Sequence, residues 1–397
     1  MNTSPHRTPT TTAATLSALI AAGLVLSACG AQESGEGPDS GAAPAPATVE
    51  DPLVATYDGG VYVVDGTTLE VAEDIPLDGF NRLNPAGDDR HVLVSTSTGF
   101  RVLDAAAPEL TGGEFDGAEP GHVVRHAGRT VLFADGTGEV TSFDPQELGG
   151  GLPETETFTS PEPHHGVAIE LENGELVVTE GDEETRDTVV ALGPDREEIA
   201  RNEDCPGVHG EATAQGEAVV IGCEDGVLVY RDGEFAKADS PTEYGRIGNQ
   251  AGSDTSPIVL GDYKQDADAE LERPEQVSLI DTETGDLELV DLGTSYTFRS
   301  LARGPEGEAL VLGTDGRIHV IDPEEAEVVD TVDVTGEWEE PLEWQEPRPA
   351  IFVRGATAYV TDPGTRELSV IDLATREVTE TATLPEAPNE LSGVVAG

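Results

Sequence analysis

HVVRHAGRTVLFADGTGEVTSFD, residues 122–144, reads as three short strands with their turns. A first strand from His122 ends at Ala127-Gly128, an apolar run follows, Asp135-Gly136 breaks it, and a last strand closes on Asp144. Short β-branched runs divided by Gly-bearing turns every eight to twelve residues or so, with no helical period, belong to antiparallel strands. The plan recurs as RLNPAGDDRHVLVSTSTGFRVLD at 82–104, HGVAIELENGELVVTEG at 165–181 and HGEATAQGEAVVIGCEDGVLVYRDG at 209–233. A more diffuse copy starts at Arg246, and two more follow as RSLARGPEGEALVLGTDGRIHVID at 299–322 and RPAIFVRGATAYVTDPGTRELSVID at 348–372. Successive starts lie 37 to 53 residues apart, the repeat length of four-stranded propeller blades. One such sheet cannot bury both faces, so a continuous core forms only when the sheets pack radially.

The two ends complete the pattern. VATYDGGVYVVDGTT at 54–68 matches the later strands of a blade, and Glu390 to Val395 matches a first strand. Pairing them closes the ring, removes its exposed edges and supplies an eighth blade. The expectation is an all-β chain, a single β-propeller domain over residues 52–397 with eight blades, the ring closed by its N- and C-terminal strands. Seven blades is the alternative, because the acidic insertion DYKQDADAELERPEQ at 262–276 blurs one repeat. In that insertion Asp262, Asp266 and Asp268 lack the glycine and terminal glutamate of a calcium loop, so a solvated segment is expected there.

Ahead of the repeats, ATLSALIAAGLVLSA follows His6 and Arg7 and runs into Leu26-Ser27-Ala28-Cys29. The stretch is too short and too weakly apolar for a comfortable membrane span, and it resembles a lipoprotein signal peptide over residues 1–28 with Cys29 as the acylated residue. Residues 29–51, rich in Gly, Ala, Pro, Ser and Glu, then read as a flexible lipidated tether. The expected product is exported and lipid-anchored on the outer face of the cell membrane, and is a monomer.

Acidic residues number 79 against 21 basic ones, spread along the chain, for a net charge of −58. Nucleic acid is excluded as a partner, because phosphate binding needs clustered Lys and Arg. A diffuse negative surface confers solubility and attracts cations weakly. With Cys29 assigned to the lipid, Cys205 and Cys223 remain as an even pair in an oxidising compartment, almost symmetric about a hairpin turn near Ala214 to Gly216. A disulfide across the two strands is expected; ligation of a metal together with His209 is the other reading.

The heads of the first strands read Arg82, His122, His165, His209, Arg246, Arg299 and Arg348, and equivalent heads lie on one rim of the central channel. The arginines there are expected to hold nearby carboxylates and carbonyls. His122, His165 and His209 follow one another at steps of 43 and 44 residues. A single histidine in such a place caps a loop; three at matching places in consecutive blades point to a zinc site. His164 and Glu211 are candidates for a fourth donor or for an acceptor behind a ligating ring, and His126 is held in reserve. His91 and His319 read as ordinary strand residues, and Trp338 and Trp344 as residues that pack between blades, with walling of the channel the other reading. There is no His-Glu-x-x-His, nucleophile elbow, phosphate loop or dinucleotide fingerprint, so no catalytic residue is assigned and the chain does not read as an enzyme.

At this point PGHVVRHAGRTVLFADGTGEV (120–140), PHHGVAIELENGELVVTEG (163–181), CPGVHGEA (205–212), GCEDGVL (222–228), FRSLARG (298–304) and PRPAIFVRGATAYVTDP (347–363) together resemble the zinc metallochaperones of the AztD type. The resemblance spans about residues 52–397. It implies a propeller that holds zinc beside a zinc ABC importer and hands it to the importer's solute-binding protein. The linker departs from the His-rich mobile segment expected of some relatives, which leaves acquisition or handover open to difference. Two other classes stay open on the residues alone: a quinoprotein or amine-dehydrogenase-like propeller, and a metal-free interaction scaffold.

Overall fold

A computed structural model describes residues 48–182 and 184–395. The signal peptide, Cys29 and most of the tether lie outside the described residues. Eight antiparallel sheets follow one another along the chain, each with a path of four strands. The eight-blade count therefore stands, and the insertion at 262–276 does not remove a blade. No helix among the described residues is long and apolar enough to cross a membrane.

Each blade follows the repeat legible in sequence. In blade 3 the strands are Pro120–His126, Arg129–Ala134, Glu139–Phe143 and Thr155–Thr159, joined by the Ala127-Gly128 and Asp135-Gly136 turns. The second and third strands are apolar on both faces, because each blade is covered by a neighbour on either side: Val131 and Phe133 pack with Val178 and Val190 of blade 4, while Leu132 and Phe143 pack with Leu93 and Phe100 of blade 2. Outermost strands such as Glu377–Thr383 are largely exposed and polar, which leaves the outer edges uninviting to further pairing.

Ring closure takes place in blade 1. Leu391–Gly393 pairs antiparallel with Leu53–Tyr57, Leu53 opposite Gly393 and Ala55 opposite Leu391. Arg354 clamps the seam by donating to the carbonyl oxygens of Asp51 at 2.8 Å and Pro52 at 3.2 Å. The folded part begins a few residues before 52. Val49, read as tether, is buried against Val54, Val94 and Ala105, and its N–H donates to the Ala106 carbonyl, since an apolar side chain beside an open core has more to gain from burial than from solvent.

The disulfide between Cys205 and Cys223 is present, with Cα atoms 4.9 Å apart and both residues fully buried. Its place differs from the expected cross-strand pair. Within the hairpin His209 lies opposite Gly222, so Cys205 sits four residues ahead of its strand, and its N–H donates to the Asp187 carbonyl of blade 4. The bond ties the connection between blades 4 and 5 to the end of the Ala218–Cys223 strand.

Candidate metal centre

His122, His165 and His209 come together at one mouth of the channel, in blade 3, just ahead of the first strand of blade 4 (Ala168–Glu170), and at the start of blade 5 (His209–Ala214). Their ring centroids are 4.9–5.5 Å apart, and one donor atom from each lies within 4.8 Å of the other two. Nε2 of His165 faces Nε2 of His209 at 3.0 Å. Two imidazole nitrogens on a tetrahedral zinc, each about 2.0–2.1 Å from it, stand about 3.3 Å apart, so the rings need almost no movement to share an ion.

The local backbone explains the convergence. Two of the three innermost strands carry a bulge beside their histidine, between Pro120 and Val123 and between His209 and Glu211; a bulge re-aims side chains that a regular strand would hold in strict alternation. Gly210 occupies the second at φ +75°, and a Cβ there would meet the Gln250 amide oxygen at 2.3 Å. Gly121 serves the first, leaving the space that Oδ1 of Asp135 fills.

Each ring is held through its other nitrogen. Nδ1 of His209 donates to the Gly248 carbonyl at 2.6 Å; that oxygen can only accept, so Nε2 keeps its lone pair. Burial, then the neighbouring His122, His165 and Arg246, hold this imidazole well below the ordinary histidine range, against the pull of the Gly248 bond, and it is neutral at pH 7. Nδ1 of His165 lies 2.5 Å from a carboxylate oxygen of Asp135, and Nδ1 of His122 lies 3.1 Å from one of Glu211. Acceptors behind the rings fix the tautomer and raise the basicity of the free nitrogen, as in carboxylate–histidine–zinc arrangements. With His209 Nδ1 donating to Gly248, its Nε2 lone pair faces Nε2 of His165, a pairing that a shared proton or a bound cation completes. Three nitrogen donors with a fourth direction open suit zinc.

The remaining candidates separate clearly. Glu211 stands behind His122. His164 turns away from its neighbour into the core, where its nitrogens meet the Glu162 carbonyl and the Thr179 hydroxyl, each at 3.0 Å; burial lowers its pKa. With both nitrogens engaged it is not positioned as a fourth ligand. His126 lies further along its strand, beside a second cavity, with Nε2 2.8 Å from Glu217. Glu211 and Gln250 line both cavities. His91 and His319 are buried against Asp88 and Asp315 as ordinary strand residues.

The arginine heads share the mouth. Arg299 pairs with Glu390 at 2.5 Å and Arg348 with Glu340 at 2.8 Å, as their place in sequence predicts, and the guanidinium carbons of Arg82, Arg299 and Arg348 lie 5.8, 5.1 and 5.1 Å from the centroid of the Phe298 ring. Trp338 packs, donating to the Gly313 carbonyl, but Trp344 is half exposed on the cavity wall, edge-on to Phe80. Asp262 is fully buried, not solvated: it accepts the Gly248 and Asn249 N–H groups at 2.7 and 3.0 Å, fixing the carbonyl that holds His209. Asp135 and Asp262 carry no signal in the sequence beyond the turn or insertion they occupy.

No family model matches the chain. It is similar to the zinc chaperone AztD of Citrobacter koseri, with 26% identity over 302 residues, 74% of this chain and 69% of that protein. The solved structure of apo AztD from the same organism superposes with a TM-score of 0.73 at 21% identity, over 87% of this chain and 98% of that one. The dihydro-heme d1 dehydrogenase NirN shares the fold more distantly, with a TM-score of 0.56 at 14% identity, over 87% of this chain and 75% of that one. The resemblance to AztD-type propellers read from the sequence thus holds in sequence and in fold.

Proposed function

We propose that this protein is an exported, lipid-anchored zinc metallochaperone, not an enzyme, that takes Zn²⁺ on His122, His165 and His209 and passes it to the solute-binding protein of a zinc ABC importer. The observation that carries the reading is the braced histidine triad: three rings with donors within 4.8 Å of one another, each backed by Glu211, Asp135 or the Gly248 carbonyl. Similarity to a zinc chaperone supports the cargo, and the buried disulfide supports an oxidising compartment. A chaperone must hold its ion against spontaneous loss yet release it to a partner, and a site at an open channel mouth meets both needs because an incoming side chain can enter the zinc shell by ligand exchange.

Alanine at any of the three histidines is expected to weaken zinc binding at least about ten-fold, near 1.4 kcal/mol, in a competition titration. A triple variant that retains full zinc affinity would place the ion elsewhere. Transfer is tested by mixing zinc-loaded protein with the cognate apo solute-binding protein: the rate should rise with acceptor concentration and exceed spontaneous dissociation. A rate equal to dissociation at every acceptor concentration would reduce the protein to a zinc store.

A further inference from the structure

The mouth around the histidines is cationic on an otherwise acidic protein. With 79 carboxylates for 21 Lys and Arg, cations here have ion-pair partners in abundance. Yet Arg246 and Lys264, which line the histidine cavity, have no ion pair and no side-chain hydrogen bond among the described residues. Arg82, on the same cavity, reaches only Glu390, at 3.8 Å, and its side chain is 47% exposed. The two carboxylates of the cavity are committed elsewhere, Glu211 to His122 and Asp262 to two backbone N–H groups. Three neutral imidazoles leave a bound zinc with an open fourth direction; Asp135 and Glu211 offset its charge only from behind His165 and His122, while Arg82, Arg246 and Lys264 stand on the cavity side. The cavity thus carries cations beside the open position and, among the described residues, no uncommitted carboxylate to fill it. Guanidinium and ammonium groups bind carboxylates through charge-assisted hydrogen bonds, and zinc accepts carboxylate oxygen readily.

We propose that the mouth binds a small dicarboxylate together with the metal, one carboxylate supplying the fourth zinc ligand and the rest of the anion held by Arg82, Arg246 and Lys264. The inference rests on the triad as the metal site and deepens it: zinc is carried as a ternary complex, and the anion sets how tightly it is held. The cations would then weaken zinc binding when no anion is present and strengthen it when one is.

Cobalt(II), whose visible spectrum reports its ligands, tests this with protein in excess over metal. Succinate should shift the cobalt spectrum saturably, whereas uncharged succinamide at equal ionic strength should not. The Arg82→Gln/Lys264→Gln protein should require at least ten-fold more succinate for half-saturation, yet bind cobalt as tightly as the parent, or more tightly, in anion-free buffer. Absence of a succinate response in cobalt-loaded parent protein, or an equal half-saturation in the double variant, would overturn the inference alone. A double variant that loses cobalt affinity equally in both buffers would also overturn it, as a merely structural effect. Failure of the parent to bind cobalt at all would overturn the triad as a metal site, and this inference with it.

Discussion

Asp135 holds His165 from the turn of the preceding blade, 30 residues away, with one oxygen on Nδ1 and the other buried without a partner. Asp135→Asn keeps the shape and removes the charge, so zinc affinity should fall by about 10- to 100-fold while the melting temperature of the apo protein changes little; an unchanged competition titration would mean that His165 is oriented by something else. His209 gives a pH signature. Its pKa is depressed in the fold, by burial first and by the neighbouring His122, His165 and Arg246 next, so the unfolded chain takes up a proton there that the folded chain refuses. The sign follows: this contribution to stability is intact above about pH 6.5, the unfolded value, and is lost as pH falls below it toward the depressed folded value. Thermal melts of apo protein between pH 7.5 and 5.5 should show a smaller loss for His209→Gln than for the parent, and parallel losses would assign the acid sensitivity to other groups.

The connection that delivers His209 is held at both ends, by the disulfide and by Val208, whose N–H donates to the Arg186 carbonyl. Replacing Cys205 and Cys223 by serine should cost about 2–4 kcal/mol in urea unfolding and should also weaken zinc binding, because the loop loses its anchor four residues before the ligand; a variant of unchanged stability would show that the blade interface alone holds this loop. The blades themselves were legible because strand alternation and Gly-bearing turns are local properties. His122, His165 and His209 were legible because matching places in consecutive blades converge by symmetry. The part of His164 was not: the sequence offers it as a fourth donor or an acceptor behind a ring, and only packing against Phe133 and Thr179 turns it inside, away from His165. Asp135, Asp262 and Trp344 act across turns and between blades, where the partner is set by three-dimensional register that a single sequence does not encode. Asp262 in particular sits in a segment whose composition reads as solvent-exposed, yet its carboxylate is wholly enclosed.

At the scale of the ring, blade 1 is stabilised by both ends of the fold, and Arg354 reaches from blade 8 across the seam. Arg354→Ala removes hydrogen bonds from the half-buried Pro52 and Val394 carbonyl oxygens and the exposed Asp51 carbonyl and should lower stability by about 1–3 kcal/mol. Truncation after Pro388 removes the closing strand and leaves Leu53–Tyr57 as a bare edge, so that chain should self-associate, seen as concentration-dependent sedimentation; a monomeric truncated protein with the parent's melting point would show that closure is dispensable. The same seam fixes an order of events in time. The chain is made, and on the proposed route crosses the membrane, N-terminus first, so the three histidine-bearing blades, residues 120–239, emerge long before Leu391–Gly393. The metal ligands can therefore meet while the circle is still open, whereas blade 1 must wait, one strand short, until the last residues of the protein arrive.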